Sequence, residues 1–281
     1  MIAICPNPFR DAELEISRHA VKLLNDAGFD TAVCPLFADG CEDVIPGGIQ
    51  TWKLRDIAQD CSLIVVIGGD GTILAASRQI NGLEVPLLGV NLGTKGFMTT
   101  LEPENIDLIV KAAKGEYRLS RRMMLDVALI RDGRAIYTDC ALNDAVIHGY
   151  GDCVKISAWC DGERITSFSG DGVIISTPTG ATGYSMSAGG PIVEPEAAAM
   201  ILSPICAHRM GARSFVLAPE RRISIKTEKL HGRRAYLSVD GNSVFDLANG
   251  DMLVTERSEH STFMVDMGLK SFYELAYEKL T

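Results

Sequence analysis

The sequence predicts a Rossmann-like α/β domain, then a mostly β domain, and a last helix that returns to the first domain. Up to about residue 115, short apolar runs alternate with segments of helical periodicity, which is the pattern of a parallel sheet with helical crossovers. From Met123 onward, short β-branched runs are separated by turn residues, as in antiparallel hairpins. We therefore place the first domain at 1–118 together with 268–281, and the second at 119–267.

The first domain is built in order from alternating strands and helices. The unbroken apolar run Leu63–Ile67 is typical of a strand that is buried on both faces, and Gly28 is a typical helix-ending residue. A loop rich in Gly, Pro and acid follows at Pro35–Gly48. Strands are expected at Ile2–Cys5, Thr31–Cys34, Leu63–Ile67 and Pro86–Val90, and helices at Asp11–Asn25, Thr72–Ile80 and Pro103–Lys114.

The second domain is predicted to be a set of short strands. Asp132-Gly133 and Asp161-Gly162 are typical hairpin turns. Strands are expected at Leu125–Ile130, Ala135–Thr138, Val154–Trp159, Val173–Ser176, Ser214–Leu217, Ile223–Lys226, Ala235–Val239 and Met252–Thr255. The helix at Ser271–Leu280 has an apolar stripe, and because such a stripe needs a partner surface we assign the helix to the first domain.

Composition excludes several classes of protein. With 47% apolar and 22% charged residues, the 281-residue chain is not expected to contain long disordered stretches. The net charge of −9 disfavours general nucleic-acid binding. No secretory signal and no apolar stretch of about 20 residues is present, so we expect a cytoplasmic protein that does not associate with membranes. The eight cysteines show no C-x-x-C spacing, and we expect no metal held by the protein alone.

A glycine-rich turn carries the first chemical signal. Gly68-Gly69-Asp70-Gly71-Thr72 lies directly between a predicted buried strand and a predicted helix, where backbone N–H groups and the helix dipole favour phosphate. A carboxylate beside phosphates repels them, so Asp70 needs a task such as accepting a proton or facing Mg²⁺. The alternative is that Asp70 only caps the helix.

This turn resembles the motif of a kinase superfamily that includes NAD kinases, diacylglycerol and sphingosine kinases and, more distantly, phosphofructokinase. It indicates phosphoryl transfer without naming the acceptor. The acceptor is indicated by Ser169–Ile192, which resembles the signature run of NAD kinases nearly end to end. There a strand leads into a turn dense with hydroxyls and glycines, which suits a sugar and a nicotinamide. The alternative is a Ser/Thr-rich surface loop.

Three further stretches resemble NAD kinases. Asn143-Asp144 resembles the Asn-Glu pair that binds adenine and ribose in the family, with Asp in the place of Glu, although a hairpin turn is an equally good interpretation of the pair alone. Leu88–Thr99 resembles the family's Asn-x-Gly-x-x-Gly-Phe-Leu-Thr, with Asn91 first. Asp240-Gly241-Asn242 stands where the family has Asp-Gly-Gln, and Ala207 replaces a proline in Pro204–His208.

The resemblance implies an enzyme that phosphorylates the adenosine ribose 2′-hydroxyl of NAD with ATP, with Asp70 as general base. Mg²⁺ would arrive with ATP, and a homodimer or homotetramer is implied. The residues assigned to ATP are Gly68, Gly69, Gly71 and Thr72. The residues assigned to NAD are Asp70, Gly71, Asn91, Asn143, Asp144, Asp171, Thr179, Thr182, Gly183, Tyr184, Ser185, Ser187 and Asn242.

Two other functions stay open at this point. A lipid kinase of the diacylglycerol type would share Gly68–Thr72, but the hydroxyl-rich segment Thr179–Ser187 argues against the apolar pocket that it needs. A non-catalytic NAD sensor would have no use for Asp70 among phosphates.

Overall fold

Two compact units make up the chain in the computed structural model. The first comprises residues 1–121 and 262–281, and the second comprises 122–261. The structure describes residues 1–37, 45–93, 96–208, 212–228, 230 and 232–280, with the backbone alone at 243, 244 and 280. Thr94, Lys95 and residues 38–44 of the loop expected at Pro35–Gly48 lie outside the described residues.

A parallel sheet forms the centre of the first unit. Its strands are β1 (Ile2–Pro6), β2 (Thr31–Val33), β3 (Leu63–Gly68) and β4 (Leu87–Asn91). β1 pairs with β2 and β3, and β3 pairs with β4, all in parallel. Every residue of β1, β3 and β4 is buried, which confirms the apolar runs as strands covered on both faces.

The helices of the first unit are α1 (Glu15–Asp26), α2 (Leu54–Ile57), α3 (Asp70–Gln79) and α4 (Ile109–Ala113). They differ from the sequence expectation mainly at the start of α1 and in the segment before α4, and α2 has no predicted counterpart. α1 begins at Glu15 rather than Asp11, because Ala12–Leu14 is a 3-10 segment in which Glu13 and Leu14 have positive φ (53° and 52°). The Asp11 carboxylate accepts the N–H groups of Ile16 and Ser17, both at 3.0 Å. The helix expected at Pro103–Lys114 is α-helical only in α4, since Pro103–Leu108 is a kinked 3-10 segment.

Twelve further strands are described. They are β5 (Arg118–Arg131), β6 (Arg134–Ala141), β7 (Asp144–Gly149), β8 (Val154–Cys160), β9 (Glu163–Gly170), β10 (Gly172–Ser176), β11 (Met200–Ile205), β12 (Phe215–Leu217), β13 (Ile223–Thr227), β14 (Ala235–Val239), β15 (Asn242–Asp246) and β16 (Met252–Asp266). β16 runs eleven residues beyond the strand expected at Met252–Thr255, and Met264 at its end pairs with Leu87 of β4 in the first unit.

Antiparallel pairing dominates the second unit. One sheet has the order β12-β11-β10-β7-β14-β15, while β16, β13, β8 and β9 are neighbours in a second set in which β5 also pairs with β6. Core side chains from both sets pack together, among them Val127, Ile156, Ile175, Leu202 and Leu253.

Asp-Gly turns connect the hairpins of this unit. Both residues have positive φ at Asp132-Gly133 (50° and 74°) and at Asp161-Gly162 (50° and 86°), which confirms the two predicted turns. Asp240-Gly241 forms a third such turn, with φ of 49° and 70°, between β14 and β15.

Two more helices complete the described part of the chain. They are α5 (Tyr184–Ser187) and α6 (Phe272–Leu280). α6 belongs to the first unit, where the ring of Phe272 lies 6.2 Å from that of Phe97. Phe272, Leu275 and Ala276 of its apolar stripe are half-buried, and Tyr277 is 72% exposed. Among the described residues, no helix is both long enough and apolar enough to cross a membrane.

Candidate active site

The glycine-rich turn lies where β3 passes into α3. Gly68 ends the strand, Gly69 caps the helix, and the Gly69 N–H donates to Thr72 Oγ1 at 3.2 Å. Asn7 Nδ2 donates to the same hydroxyl at 3.4 Å. The turn thus presents the N-terminal end of α3 to a cavity of about 340 Å³ in the first unit.

Asp70 is held by a loop that is distant in sequence. Its Oδ2 accepts the N–H of Phe97 at 2.8 Å, and its Oδ1 accepts that of Met98 at 3.1 Å. A Cβ on Gly96 would overlap Oδ1, so only glycine permits this approach. Because Gly69 is the cap and Asp70 is the first helical residue, the helix-cap interpretation of this carboxylate is wrong.

Two cations that no sequence motif indicates line the same cavity. Arg10 follows β1 and donates from Nη1 to the carbonyl of Leu92 at 3.2 Å, whereas Lys279 comes from α6. Asp70 is the only carboxylate among the described lining residues, so the cavity has a net positive charge. Arg10 and Lys279 are far from Gly68–Thr72 along the chain, so no spacing in the sequence connects them to this motif.

Asn91 lies next to the glycine turn. It ends β4 and pairs with Gly68 across the sheet. Its side chain is buried, and Nδ2 donates to the Glu102 carboxylate at 3.2 Å, while Oδ1 has no described partner. The amide group is thus largely engaged inside the first unit.

In the second unit, Asp240 organises the Asn143-Asp144 turn, which connects β6 to β7. β6 pairs with β5, whereas β7 pairs with β10 and β14, so the hairpin interpretation of this pair is wrong. Asp240 Oδ1 accepts the N–H groups of Asn143 at 2.7 Å and Asp144 at 3.0 Å, and its Oδ2 accepts that of Leu142 at 2.8 Å. The Asp240-Gly241-Asn242 motif predicts only Asn242 as a ligand-binding residue and does not indicate the role of Asp240. Asn242 itself is exposed and donates to the Asp240 carbonyl at 3.3 Å, within the hairpin turn.

Asp144 and Asp240, the two buried carboxylates at this turn, both have a raised pKa. Burial, and next the nearby Asp240, raise the pKa of Asp144 to about 7. Burial raises the pKa of Asp240 to about 6, although its backbone hydrogen bonds oppose the shift. Three N–H donors favour the charged form of Asp240, so Asp144 is the group that holds a proton near neutral pH.

The hydroxyl-rich segment after β10 packs onto this turn. Thr177 donates its N–H to the Asn143 carbonyl at 2.9 Å and its hydroxyl to the Leu142 carbonyl at 2.6 Å. A Cβ on Gly180 would overlap the Asn143 carbonyl, so this glycine is required by close packing. Asn143 Oδ1 and Thr179 Oγ1 are buried here without a described partner. Buried polar atoms are normally hydrogen-bonded, so these two are available to a ligand.

The rest of the segment divides into exposed and buried members. Ser185 is fully buried and hydrogen-bonds Ser203 Oγ at 3.0 Å, so its hydroxyl serves packing. Tyr184 and Ser187 are exposed, and the half-buried Thr182 donates to the Thr179 carbonyl at 3.1 Å. The half-buried Gly183 comes close to the Asn143 side chain, because a Cβ there would lie 3.5 Å from its Nδ2.

Asp171 and His148 lie at the other end of β10. Asp171 connects β9 to β10, and its carboxylate raises the pKa of the exposed Cys206 thiol through a hydrogen bond. His148 pairs with Gly172, and its Nδ1 lies 2.7 Å from the Gly149 carbonyl. The Tyr184 ring stacks against this imidazole at 6.5 Å, so Tyr184 spans from the hydroxyl-rich segment toward Asp171.

Comparison with known families covers most of both units. Residues 47–117 match the ATP-NAD kinase N-terminal domain, and residues 142–267 match the ATP-NAD kinase C-terminal domain. The chain is 34% identical over 285 residues to a NAD kinase from Natranaerobius thermophilus, which covers 100% of this chain and 97% of that relative. It is 38% identical over 233 residues to a NAD kinase from Geotalea daltonii, with 82% of each chain covered.

Solved structures with the same fold include two that hold nucleotides. Yeast NADH kinase complexed with NADH superimposes with a TM-score of 0.88 at 25% identity, covering 99% of this chain and 86% of that chain. A NAD kinase from Archaeoglobus fulgidus in complex with ATP gives a TM-score of 0.75 at 25% identity, covering 100% and 98%.

Proposed function

Because the chain belongs to the NAD kinase family, we propose that it transfers the terminal phosphoryl group of ATP to the adenosine ribose 2′-hydroxyl of NAD. The products are NADP and ADP. The observation that carries this proposal is the Asp70 carboxylate, which two backbone N–H groups hold beside a glycine-rich helix start. A carboxylate fixed among phosphate-binding groups suits a general base.

The ATP phosphates bind the first unit in this proposal. Gly69, Gly71 and Thr72 line the cavity at the N-terminal end of α3, and Gly68 ends the strand directly before them. Arg10 and Lys279 add the positive charge that phosphoryl transfer requires. Mg²⁺ arrives with the nucleotide, since a cavity with a single carboxylate suits an ion that is held mainly by phosphate oxygens.

The adenosine end of NAD binds the second unit through Asn143 and Asp144. The free Oδ1 of Asn143 accepts from the adenine amine, and ionised Asp144 accepts from ribose hydroxyls. Thr179, Thr182, Gly183, Tyr184, Ser187 and Asp171 line the path of the remaining dinucleotide. Asn91, Ser185 and Asn242 each make an internal hydrogen bond, so in this proposal they position the binding segments.

The reaction is a direct in-line transfer. Asp70 accepts the proton of the 2′-hydroxyl while that oxygen forms its bond to the γ-phosphorus, and the bond from the γ-phosphorus to the ADP oxygen breaks. Positioning and charge neutralisation supply most of the rate, so no covalent enzyme intermediate is needed.

Three finer properties belong to the same proposal. The enzyme acts in the cytoplasm, it uses Mg²⁺-bound ATP, and it assembles as a homodimer or homotetramer. Light scattering coupled to size-exclusion chromatography measures the assembly, and a monomer at micromolar concentration would contradict that part.

Incubation of the purified protein with ATP, Mg²⁺ and either NAD or diacylglycerol tests the proposal. We expect NADP, detected with an NADP-specific dehydrogenase, and no phosphatidic acid. Phosphatidic acid without NADP would support the lipid kinase, and NAD binding without turnover would support the sensor. None of the relatives named above is a lipid kinase.

A further inference from the structure

The second unit carries a basic groove on the face of three neighbouring strands. The groove has a volume of about 800 Å³, and its described lining lies wholly within residues 155–250. Lys155, Ser157 and Trp159 alternate along β8 and therefore share one face of the sheet. Strand register places Arg164 of β9 opposite Trp159, and Lys226 of β13 opposite Ser157.

Positive charge exceeds negative charge in this groove. Its lining contains the cations of Lys155, Arg164, Lys226 and Arg233, but only one carboxylate, that of Glu228. Glu228 pairs with Lys155 at 2.7 Å, and this hydrogen bond is the main cause that lowers the Glu228 pKa. Among the described residues, no carboxylate lies within 4.0 Å of Arg164, Lys226 or Arg233.

Such a surplus is unusual in a chain with a net charge of −9. Where acids outnumber bases, a basic side chain easily finds an acidic partner, and three unpaired cations around one groove repel one another. An anion that binds between them removes the repulsion. Arg233 is already oriented, because its Nη1 donates to the Cys153 carbonyl at 2.9 Å. Pre-orientation lowers the entropic cost of binding.

We propose that this groove is a second, separate binding site for an organic polyphosphate that carries a planar aromatic ring, the chemistry of a nucleotide. The unpaired cations bind its phosphates, and Trp159 provides a face for its ring. The volume is within the range of pockets that enclose a small ligand. The site is distinct from the proposed kinase site, since the described lining of the groove shares no residue with the Asp70 cavity or with the residues assigned to NAD.

The test uses the fluorescence of Trp159 in the full-length chain. The chain has two tryptophans, so a Trp52→Phe background leaves Trp159 as the only one. ADP and inorganic tripolyphosphate are titrated separately without Mg²⁺, and equilibrium dialysis of the same samples counts the bound probe. Lys226→Glu is the groove variant, Arg164→Gln is a second one, and Arg257→Glu, exposed on β16 outside the groove, is the matched charge control.

We expect a saturable change with both probes and tighter binding of ADP. Lys226→Glu should weaken ADP binding by about tenfold, the loss of one favourable charge pair, while Arg257→Glu stays within about twofold. Equal affinities for ADP and tripolyphosphate would overturn the role of Trp159. No saturable change, unchanged dialysis counts in both groove variants, or an equal loss in Arg257→Glu would overturn the site.

Discussion

Lys279 holds its ammonium nitrogen 4.2 Å from the ring centroid of Phe97. The backbone N–H of Phe97 donates to the Asp70 carboxylate. The ring centroid of Phe272 lies 6.2 Å from that of Phe97. The C-terminal helix therefore touches the loop that orients Asp70. The helix thus lines the cavity as well as packing on the first unit, although Phe272, Leu275 and Ala276 are only half-buried.

Lys279→Met should raise the KM for ATP by about 3–10-fold, with little change in the KM for NAD. Methionine keeps an apolar chain over Phe97 but removes a positive charge from the cavity in which we propose that the ATP phosphates bind. Steady-state kinetics measure the effect. Lys22→Met, an exposed residue of α1 outside the cavity, is the control, and an equal effect there would contradict a specific role for Lys279.

Asp70→Asn should lower kcat by about 10²–10⁴-fold, because an amide does not accept the hydroxyl proton. The amide also accepts only one of the two backbone N–H groups at Phe97 and Met98, so a modest fall in Tm is expected. NAD affinity from calorimetry should stay within about threefold of wild type. Asp56→Asn on α2 is the exposed control, and a variant at position 70 that keeps half of wild-type kcat would refute the base assignment.

The KM for NAD should fall by about 3–10-fold between pH 6 and pH 8 as Asp144 ionises and accepts ribose hydroxyls. Its pKa of about 7 places this change in the accessible range. Asp144→Asn should have a higher KM that is flat across the same interval. A wild-type KM for NAD that does not vary with pH, or a variant that follows the wild-type curve, would show that Asp144 does not bind the ribose.

Ionised Asp144 should lower the free energy of unfolding in the absence of NAD. The folded chain keeps the Asp144 proton up to about pH 7, whereas the unfolded chain releases it near the ordinary value of 3.8. The folded state binds more protons in this window, so the free energy of unfolding falls as the pH rises through it. Asp144→Asn should exceed wild type by roughly 1–3 kcal/mol at pH 8 and match it at pH 4. Urea unfolding at both pH values measures this difference. A variant that is less stable than wild type at pH 8 would contradict the prediction.

Asp240→Ala should destabilise the second unit by roughly 2–4 kcal/mol, since it leaves three backbone N–H groups without their acceptor. Asp240 acts through the Asn143-Asp144 turn and is a positioning residue. Where the variant stays folded, the KM for NAD should rise while the KM for ATP does not. Asn242→Ala in the same hairpin is the control, and an equal loss of stability there would assign the effect to the hairpin.

Periodicity predicted the regular elements of this fold where local pattern and tertiary packing agree. The apolar run of β3 and the two predicted Asp-Gly turns are such cases, because a doubly buried strand and a tight hairpin each need a particular local composition. β16 is longer than its apolar pattern predicts, since the exposed Glu256 and Arg257 interrupt that pattern while the strand continues to Asp266 and pairs with β5 as well as β13. α1 begins later than its periodicity predicts, because Glu13 and Leu14 adopt positive φ directly before it.

The sequence by itself determined the family. It also predicts the roles of Gly68–Thr72 and Asn143-Asp144, because these residues are contiguous and their types limit what they bind. Only the tertiary structure decided which distant groups support them. Asp240 lies 97 positions from Asn143, Phe97 lies 27 from Asp70, and no local pattern connects either pair. Lys279 lines the Asp70 cavity, and it too is distant from Asp70 along the chain. A hydrogen bond or a charge acts over a few ångströms of space whatever the separation along the chain, so the partners of a site become visible only once the chain has folded.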